Sequence, residues 1–129
     1  MRLVVDTNAY SAFFRGNKRV FGLMEEADEL ILPSIVTGEL ISGFLQGSRA
    51  ETNFTELKSF LEQPGVRFHD IGYYEAEKYG LLVKNLRSAG TPLPTNDIWI
   101  AAVALSLGAS LLSGDIHFEK ISGLFVIGF

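Results

Sequence analysis

The stretch Leu3-Val4-Val5-Asp6-Thr7-Asn8 decides the fold of this chain. It opens with a short apolar run that does not alternate with polar residues, which is typical of a strand buried on both faces of a parallel sheet. The polar residues that follow at once are of the kinds that cap a helix. The stretch therefore predicts a buried strand that ends at a carboxylate, with a helix beginning directly after it.

Strands and helices alternate along the rest of the chain. Strands are predicted at Leu3–Val5, Glu29–Leu32, Val66–Ile71, Ser110–Ser113 and Leu124–Ile127. Helices are predicted in the segment carrying Tyr10, Phe13 and Phe14, and at Lys18–Ala27, Ser34–Gln46, Ala50–Glu62, Tyr73–Ala89 and Asn96–Leu107, with a helical turn at Phe118–Ile121. This alternation predicts a parallel sheet with helices on both faces. Because no linker or internal repeat interrupts it, we expect one α/β domain over residues 1–129.

Composition limits the classes of function. The chain has no cysteine, which excludes disulfides, zinc-thiolate sites and thiol catalysis. No apolar run approaches the ~20 residues that a membrane-spanning helix needs, and no signal peptide is visible, so we expect a cytoplasmic protein without membrane contact. The net charge of −4 disfavours simple binding of a phosphate backbone. A nucleic-acid function would need a local basic patch or metal ions in an acidic pocket.

Two carboxylates follow predicted strands. Asp6 ends the first strand, and Asp115 comes shortly after the fourth. Ligands of open parallel sheets bind beyond the carboxyl ends of the strands, where the strand order reverses. Asp6 and Asp115 therefore converge if their strands are neighbours. The alternative is that Asp6 only caps a helix and that Asp115 only holds a turn.

Glu39 is a more informative carboxylate. It lies on the helix face of Ile35 and Val36, which we expect to turn toward the protein interior. A buried carboxylate without partners costs several kcal/mol by order of magnitude, so Glu39 needs a cation or hydrogen-bond donors. The alternatives are a salt bridge to an arginine or lysine, or escape of the side chain at the helix edge.

Asp97 lies in the first turn of the most apolar helix in the chain. The simplest interpretation is complementation of the helix dipole, worth ~0.3–1 kcal/mol. If Thr95 or Asn96 caps the helix instead, Asp97 is free to point into a pocket. The two interpretations of Asp97 stay open at this point.

Taken together, the four acidic residues indicate a functional site more strongly than any one of them alone. Each member lies at the end of an element or on a face turned inward: Asp6, Glu39, Asp97 and Asp115. A site built from carboxylate oxygens suits hard ions such as Mg²⁺ or Mn²⁺. Such ions bind phosphates, activate water and stabilise the charge of an in-line displacement. The set therefore favours hydrolysis of a phosphodiester bond.

The motifs around these acids resemble those of the PIN-domain family. They occur in family order and span nearly the whole chain: Val4–Asn8, Pro33–Leu40, Pro94–Ala102 and Leu112–Ile121. The short length resembles the toxin subunits of VapBC-type toxin–antitoxin pairs. The resemblance implies a three-layer α/β/α sandwich and Mg²⁺- or Mn²⁺-dependent endoribonuclease activity on an RNA substrate. It also implies a VapB-type antitoxin partner and a homodimer.

The resemblance assigns roles to individual residues. Asp6, Asp97 and Asp115 are the expected metal contacts, directly or through water, and Glu39 is expected to hold a water molecule or accept its proton. The supporting polar residues, which orient the carboxylates or the phosphate, are Thr7, Asn8 and Ser113. His117 departs from the family pattern, because many members carry Asp or Asn there. We expect it to be a solvated loop residue, with phosphate contact as the alternative.

Several other residues have a structural and a functional interpretation. Trp99 is expected to lie in the core rather than stack on an RNA base. A small basic cluster is expected to be solvated surface, with RNA guidance as the alternative: Arg15, Lys18 and Arg19. An apolar groove able to receive an antitoxin helix or strand is expected to be lined by Phe14, Val20, Phe21 and Met24.

Two other functions compete with the ribonuclease. One is a PIN-fold module that binds RNA or protein without cleavage, and the complete acidic set argues against it. The other is a phosphotransfer domain of similar topology. Such domains usually carry a lysine after a late strand, where this chain has Ser113-Gly114, and Lys120 follows only later. The metal-dependent ribonuclease is therefore the favoured prediction.

Overall fold

The computed structural model describes residues 1–129 and contains a fully parallel five-stranded sheet. The strands are β1 (Arg2–Val5), β2 (Glu29–Pro33), β3 (Val66–His69), β4 (Ser110–Leu112) and β5 (Val126–Ile127). Their order across the sheet is β3-β2-β1-β4-β5. β1 is central because Val4 pairs with Ile31 of β2 on one side and with Leu111 of β4 on the other.

Helices connect the strands and cover the sheet. They are α1 (Thr7–Phe14), α2 (Lys18–Glu26), α3 (Ser34–Gln46), α4 (Ala50–Leu61), α5 (Tyr73–Ser88) and α6 (Thr95–Leu107), and a 3-10 turn spans Ile116–Lys120. The chain moves outward from β1 to β3 and then returns to β4 beside β1. Because such crossovers are right-handed, α1 to α4 lie on one face of the sheet and α5 and α6 lie on the other. The predicted three-layer α/β/α sandwich is confirmed.

The core explains why β1 and α6 carry such apolar sequences. Leu3, Val4 and Val5 are fully buried, as a central strand covered on both faces requires. α6 is buried over most of its surface and packs against β1, β4 and α5. It ends at Gly108, whose φ of 62° is left-handed and suits a residue without a Cβ atom.

The predicted elements are all present, with small differences at their ends. β3 ends at His69 rather than Ile71, because the backbone N–H of Ile71 bonds to the Ser34 hydroxyl instead of a neighbouring strand. β5 is reduced to Val126–Ile127, the two residues that pair with β4. None of the helices has the length and apolar character needed to cross a bilayer.

Two phenylalanines of the C-terminal region allow a matched test of the packing. Phe118 is fully buried in the 3-10 turn, whereas Phe125 is 77% exposed. We expect Phe118→Ala to lower the free energy of unfolding by about 3–5 kcal/mol, because it empties a packed site. Phe125→Ala is expected to change it by less than about 0.5 kcal/mol. Urea unfolding measures both, and equal losses would contradict this account of the core.

Candidate metal-binding active site

Asp6 lies where β1 passes into α1, at the carboxyl edge of the sheet. Its backbone N–H bonds to the Leu112 carbonyl of β4, which fixes the ends of the two strands side by side. One carboxylate oxygen caps α1 by accepting the Thr7 N–H at 2.7 Å. The other accepts the Ser113 hydroxyl at 2.6 Å and the Asn8 amide at 3.2 Å. Asp6 therefore caps the helix and also enters a buried polar network that joins β1 to β4.

Glu39 projects from α3 toward the same edge, and both of its oxygens are held. Thr7 donates its hydroxyl to Oε1 at 2.6 Å, and Asn96 donates its side-chain amide to Oε2 at 3.1 Å. No arginine or lysine pairs with Glu39. The expectation of hydrogen-bond donors is thus confirmed, while the salt-bridge alternative is wrong.

Asp97, Asp115 and His117 form the open side of the site. Each offers a ligand atom, and these atoms lie within 4.8 Å of one another. Asp115 caps the 3-10 turn by accepting the His117 N–H at 2.8 Å, and the His117 ring lies 3.1 Å from the same oxygen. His117 is exposed, as expected of a loop residue, but its ring faces the acids rather than open solvent alone.

Crowding of the acids changes their protonation. Burial, followed by repulsion from Asp115, Asp6 and Glu39, raises the pKa of Asp97 to about 6. Burial likewise raises the pKa of Asp6, against the opposing effect of its Ser113 and Thr7 hydrogen bonds. No lysine or arginine pairs with any member of the set, so apart from the nearby His117 no basic side chain offsets this negative charge.

The donor set fits a hard divalent cation. Carboxylate oxygens dominate it, and an imidazole nitrogen is also acceptable to Mn²⁺. The acids with the fewest internal hydrogen bonds, Asp97 and Asp115, lie in the open cluster, whereas Asp6 and Glu39 are held from behind by donors. A cation would relieve the repulsion that raises the pKa of Asp97. Fixed donors behind the acids also keep their orientation.

The start of α6 corrects one detail of the sequence prediction. Pro94 occupies the N-cap position, and no side chain caps the helix. The sequence had suggested that Thr95 or Asn96 caps the helix, and neither of them does. The Asn96 amide instead bonds to Glu39, while Asp97 makes no side-chain hydrogen bond with the protein. A residue type that favours caps is used here to hold a carboxylate from another helix.

The structure also places the other residues singled out in the sequence. Trp99 is half-buried and stacks on Tyr79 with ring centroids 4.0 Å apart, so it packs between α6 and α5 outside the buried core in which the sequence had placed it. A groove of about 560 Å³ lies between α1, α2 and α4, and Phe14, Phe21 and Met24 line it. Val20 does not, because it is fully buried in the core.

One polar pair was missed from the sequence. His69 at the end of β3 contacts Glu75 in the first turn of α5, and both side chains are largely buried. The pair lies outside the acidic set. The spacing of six residues across a strand–loop–helix junction gave no periodic signal, so only the tertiary structure reveals it.

Known proteins of one family match this chain in sequence. The family model described as PIN domain matches residues 3–124. Ribonuclease VapC4 of Mycobacterium tuberculosis is 39% identical over 97 residues, which cover 73% of each chain. Ribonuclease VapC1 of Haemophilus influenzae is 30% identical over 102 residues, covering 75% of this chain and 72% of that protein.

Solved structures match over the whole length. In VapBC2 from Rickettsia felis, bound to a DNA fragment of its promoter, one chain superposes with a TM-score of 0.90 at 25% identity, covering 100% of this chain and 99% of that chain. VapBC-1 from nontypeable Haemophilus influenzae gives 0.88 at 25% identity, with coverage of 99% and 98%. The family model spans nearly the whole chain, so this chain belongs to the PIN-domain family, where it is similar to the VapC ribonucleases.

Proposed function

We propose that this protein is a metal-dependent endoribonuclease and the toxin component of a VapBC-type pair. The observation that carries the proposal is the convergence of Asp6, Glu39, Asp97 and Asp115, from four separate parts of the chain, at one edge of the sheet. The similarity to ribonucleases named VapC supports the same activity. A single PIN domain over residues 1–129 carries it, and the cytoplasm is the proposed location.

The proposed site holds Mg²⁺ or Mn²⁺ through Asp97 and Asp115, with Asp6 contributing directly or through water. A divalent cation bound there would supply neutralisation of the phosphodiester charge and activation of water for attack on phosphorus. Glu39 has one donor on each oxygen and keeps free lone pairs, so it is suited to orient a water molecule and accept its proton. As the water oxygen bonds to phosphorus, the bond to the leaving oxygen breaks.

Supporting polar residues fix the orientation of these acids through hydrogen bonds. Ser113 donates to Asp6 and accepts the Asp115 N–H at 3.0 Å, so one hydroxyl links two of the proposed metal contacts. Asn8 bonds to Asp6 and accepts the Gly114 N–H at 3.0 Å. We propose that His117 fixes Asp115 and adds a nitrogen near the cation or the phosphate.

RNA reaches the proposed site along a shallow groove on α3. Ser42 and Gly43 line it together with Glu39 and Asn96, and its volume is about 550 Å³. Glycine and serine leave Glu39 accessible from this side, where bulkier side chains would cover it. The groove therefore supports a polymer substrate rather than a small molecule that an enclosed pocket would surround.

Partner binding is proposed on two other surfaces. The groove lined by Phe14, Phe21 and Met24 is of a size and apolar character suited to a VapB-type antitoxin helix or strand. For the homodimer we propose the exposed side of α5, where Tyr74 is 79% and Leu81 50% exposed two turns apart on one face. The VapBC complexes among the structural relatives support the antitoxin partner.

Metal-dependent cleavage is the first prediction from this proposal. Purified protein should cut a structured RNA pool with Mg²⁺ or Mn²⁺, and EDTA should abolish cutting. Asp97→Asn removes one charge from the site while keeping its shape, and should lower the rate by about 10²–10³-fold. Asp70→Asn is the matched control, because Asp70 is exposed on the loop after β3 and outside the acidic set.

The outcome separates the proposal from its competitors. Equal cutting by wild type and Asp97→Asn would indicate a contaminating nuclease or a different site. Metal binding without any cutting of RNA would favour the binding module over the ribonuclease.

The raised pKa of Asp97 predicts a pH-dependent stability that needs no activity assay. An acid whose pKa is about 6 in the folded protein and 3.8 unfolded stabilises the fold when protonated, and this contribution is lost as pH rises through about 6. In EDTA at pH 7.5, Asp97→Asn should therefore raise Tm, and the difference from wild type should shrink toward pH 5. Solvent screening of this partly exposed acid leaves an effect on the order of 1 kcal/mol, or about 3–6 °C.

Metal supplies the matching control. Mn²⁺ at pH 7.5 should raise the Tm of wild type and of Asp70→Asn, and much less that of Asp97→Asn. A fall in Tm for Asp97→Asn in EDTA would show that the ionised carboxylate stabilises the metal-free fold, contrary to this account.

The α5 face predicts the oligomeric state. Light scattering should give a dimer mass for wild type and a monomer mass for Leu81→Asp, because a buried charge without a partner opposes association. Phe125→Asp, at a residue that is 77% exposed outside α5, should remain dimeric. A dimer mass for Leu81→Asp would place the interface elsewhere.

A further inference from the structure

A second pocket lies beside the acidic site, between α1, α3 and α4. Its volume is about 340 Å³, and it contains none of the four carboxylates of the proposed active site. Ser11 lines it and lies four residues after Thr7, which is about 6 Å along the axis of α1. Since Thr7 contacts Glu39, the pocket begins roughly one helical turn from the acids. It lies within reach of an RNA strand held at the proposed active site.

The pocket is lined by two arginines against one acid, Glu56, in an otherwise acidic protein. Arg15 at the end of α1 and Arg49 at the start of α4 both line it, and neither forms an ion pair with an acid. No side chain caps α4, so its first backbone N–H groups also lack an internal partner on this side. A helix N-terminus with an adjacent arginine favours an anion such as a phosphate.

Aromatic and polar side chains complete the lining. Phe14 is 39% exposed and Phe44 is half-buried, and both offer ring surface on which a base can stack. Asn53 and Glu56 supply an amide and a carboxylate, the groups that bond to the edges of unpaired bases. The pocket thus combines the phosphate, stacking and base-edge contacts of a nucleotide site.

Tyr10 adds an independent observation. Its hydroxyl is the only buried side-chain oxygen or nitrogen without a hydrogen-bond partner, although Tyr10 is only 4% exposed and lines this pocket. Burial, followed by the nearby charge of Glu56, raises the pKa of this hydroxyl, so it remains a donor. An unpaired buried donor is costly, and a ligand oxygen would satisfy it after a small shift of the exposed side chains around it.

We propose that this pocket is a nucleotide-binding subsite for the RNA strand, adjacent to the cleavage site. Arg15 and Arg49 bind a phosphate, Phe14 and Phe44 contact the base, and Asn53 and Glu56 bond to its edge. The inference rests on the proposed ribonuclease function. RNA is favoured over a protein partner because unpaired arginines, exposed rings and base-edge groups occur together beside a site suited to phosphodiester hydrolysis.

The test compares binding and turnover of RNA in matched variants. The probes are a random-sequence single-stranded RNA 12-mer pool and a dinucleotide, assayed with Mn²⁺ for cleavage. Binding of the 12-mer is measured in the Asp97→Asn background over a series of salt concentrations. Arg49→Gln is compared with Lys58→Gln, an equal change of charge on the same helix at an exposed residue outside the pocket.

Arg49→Gln should raise KM for the 12-mer about three- to tenfold and leave kcat within about twofold. The plot of log binding constant against log salt concentration should become shallower by about 0.7, the change expected for the loss of one phosphate contact on a single strand. Cleavage of the dinucleotide, which is too short to occupy both sites, should not change. Tyr10→Phe should weaken 12-mer binding while its Tm stays equal or rises, since the free protein loses only an unpaired hydroxyl.

Three outcomes would overturn the subsite. The first is an equal change of KM and 12-mer affinity in Arg49→Gln and Lys58→Gln. The second is unchanged 12-mer binding in both Arg49→Gln and Tyr10→Phe. The third is an Arg49→Gln variant that keeps its RNA affinity and loses only binding to a protein partner. Failure of wild type to cleave any RNA would instead refute the ribonuclease. In that case the salt dependence of binding still decides the subsite.

Discussion

The pairing of β1 with β4 is the constraint on which the rest of the molecule depends. After β1 the chain adds β2 and β3 on one side of that strand, and only more than a hundred residues after β1 does β4 pair with its other side. The bond from the Asp6 N–H to the Leu112 carbonyl joins the ends of β1 and β4. The reversal of strand order at this point leaves a cleft that no connecting helix covers. Asp6 and Asp115 reach the same cleft for this reason, although they are distant in sequence.

Concentrating carboxylates at one edge is unfavourable without compensation, and the protein compensates only in part. Donors from Thr7, Asn96 and Ser113 satisfy the inner oxygens of Glu39 and Asp6. No equivalent donors reach Asp97, and its pKa is raised first by burial and then by repulsion from the neighbouring acids. The free energy of the folded protein would therefore fall further on binding of a cation at this edge. The ionised Asp97 carboxylate therefore lowers the stability of the metal-free fold, and the same ionised carboxylate is what the proposed metal site needs.

Charge is distributed over the surface in a way that suits a nuclease with a net charge of −4. Acids occupy the cleft, whereas Arg15 lies at the far end of α1, about two turns after Thr7, and Arg49 lies at the start of α4. The proposed cation-binding acids and the proposed phosphate-binding arginines therefore lie in two separate but neighbouring parts of the surface. The apolar groove of Phe14, Phe21 and Met24 adjoins the pocket of the two arginines, and Phe14 borders both. A partner seated in the apolar groove would consequently contact the rim of the proposed RNA subsite.

The sequence by itself determined the elements and the identity of the acids, because both follow from local patterns. Apolar runs such as Leu3–Val5 predict buried strands. Glu39 is recognisable because it is a carboxylate on a helix face that is predicted to turn inward. Only the tertiary structure decided which groups meet. The Asn96 amide donates a hydrogen bond to Glu39 rather than capping α6. His69 contacts Glu75, and Tyr10 lines a pocket together with Arg49. Such contacts depend on the relative positions of separate elements, which long-range packing sets and no local periodicity encodes.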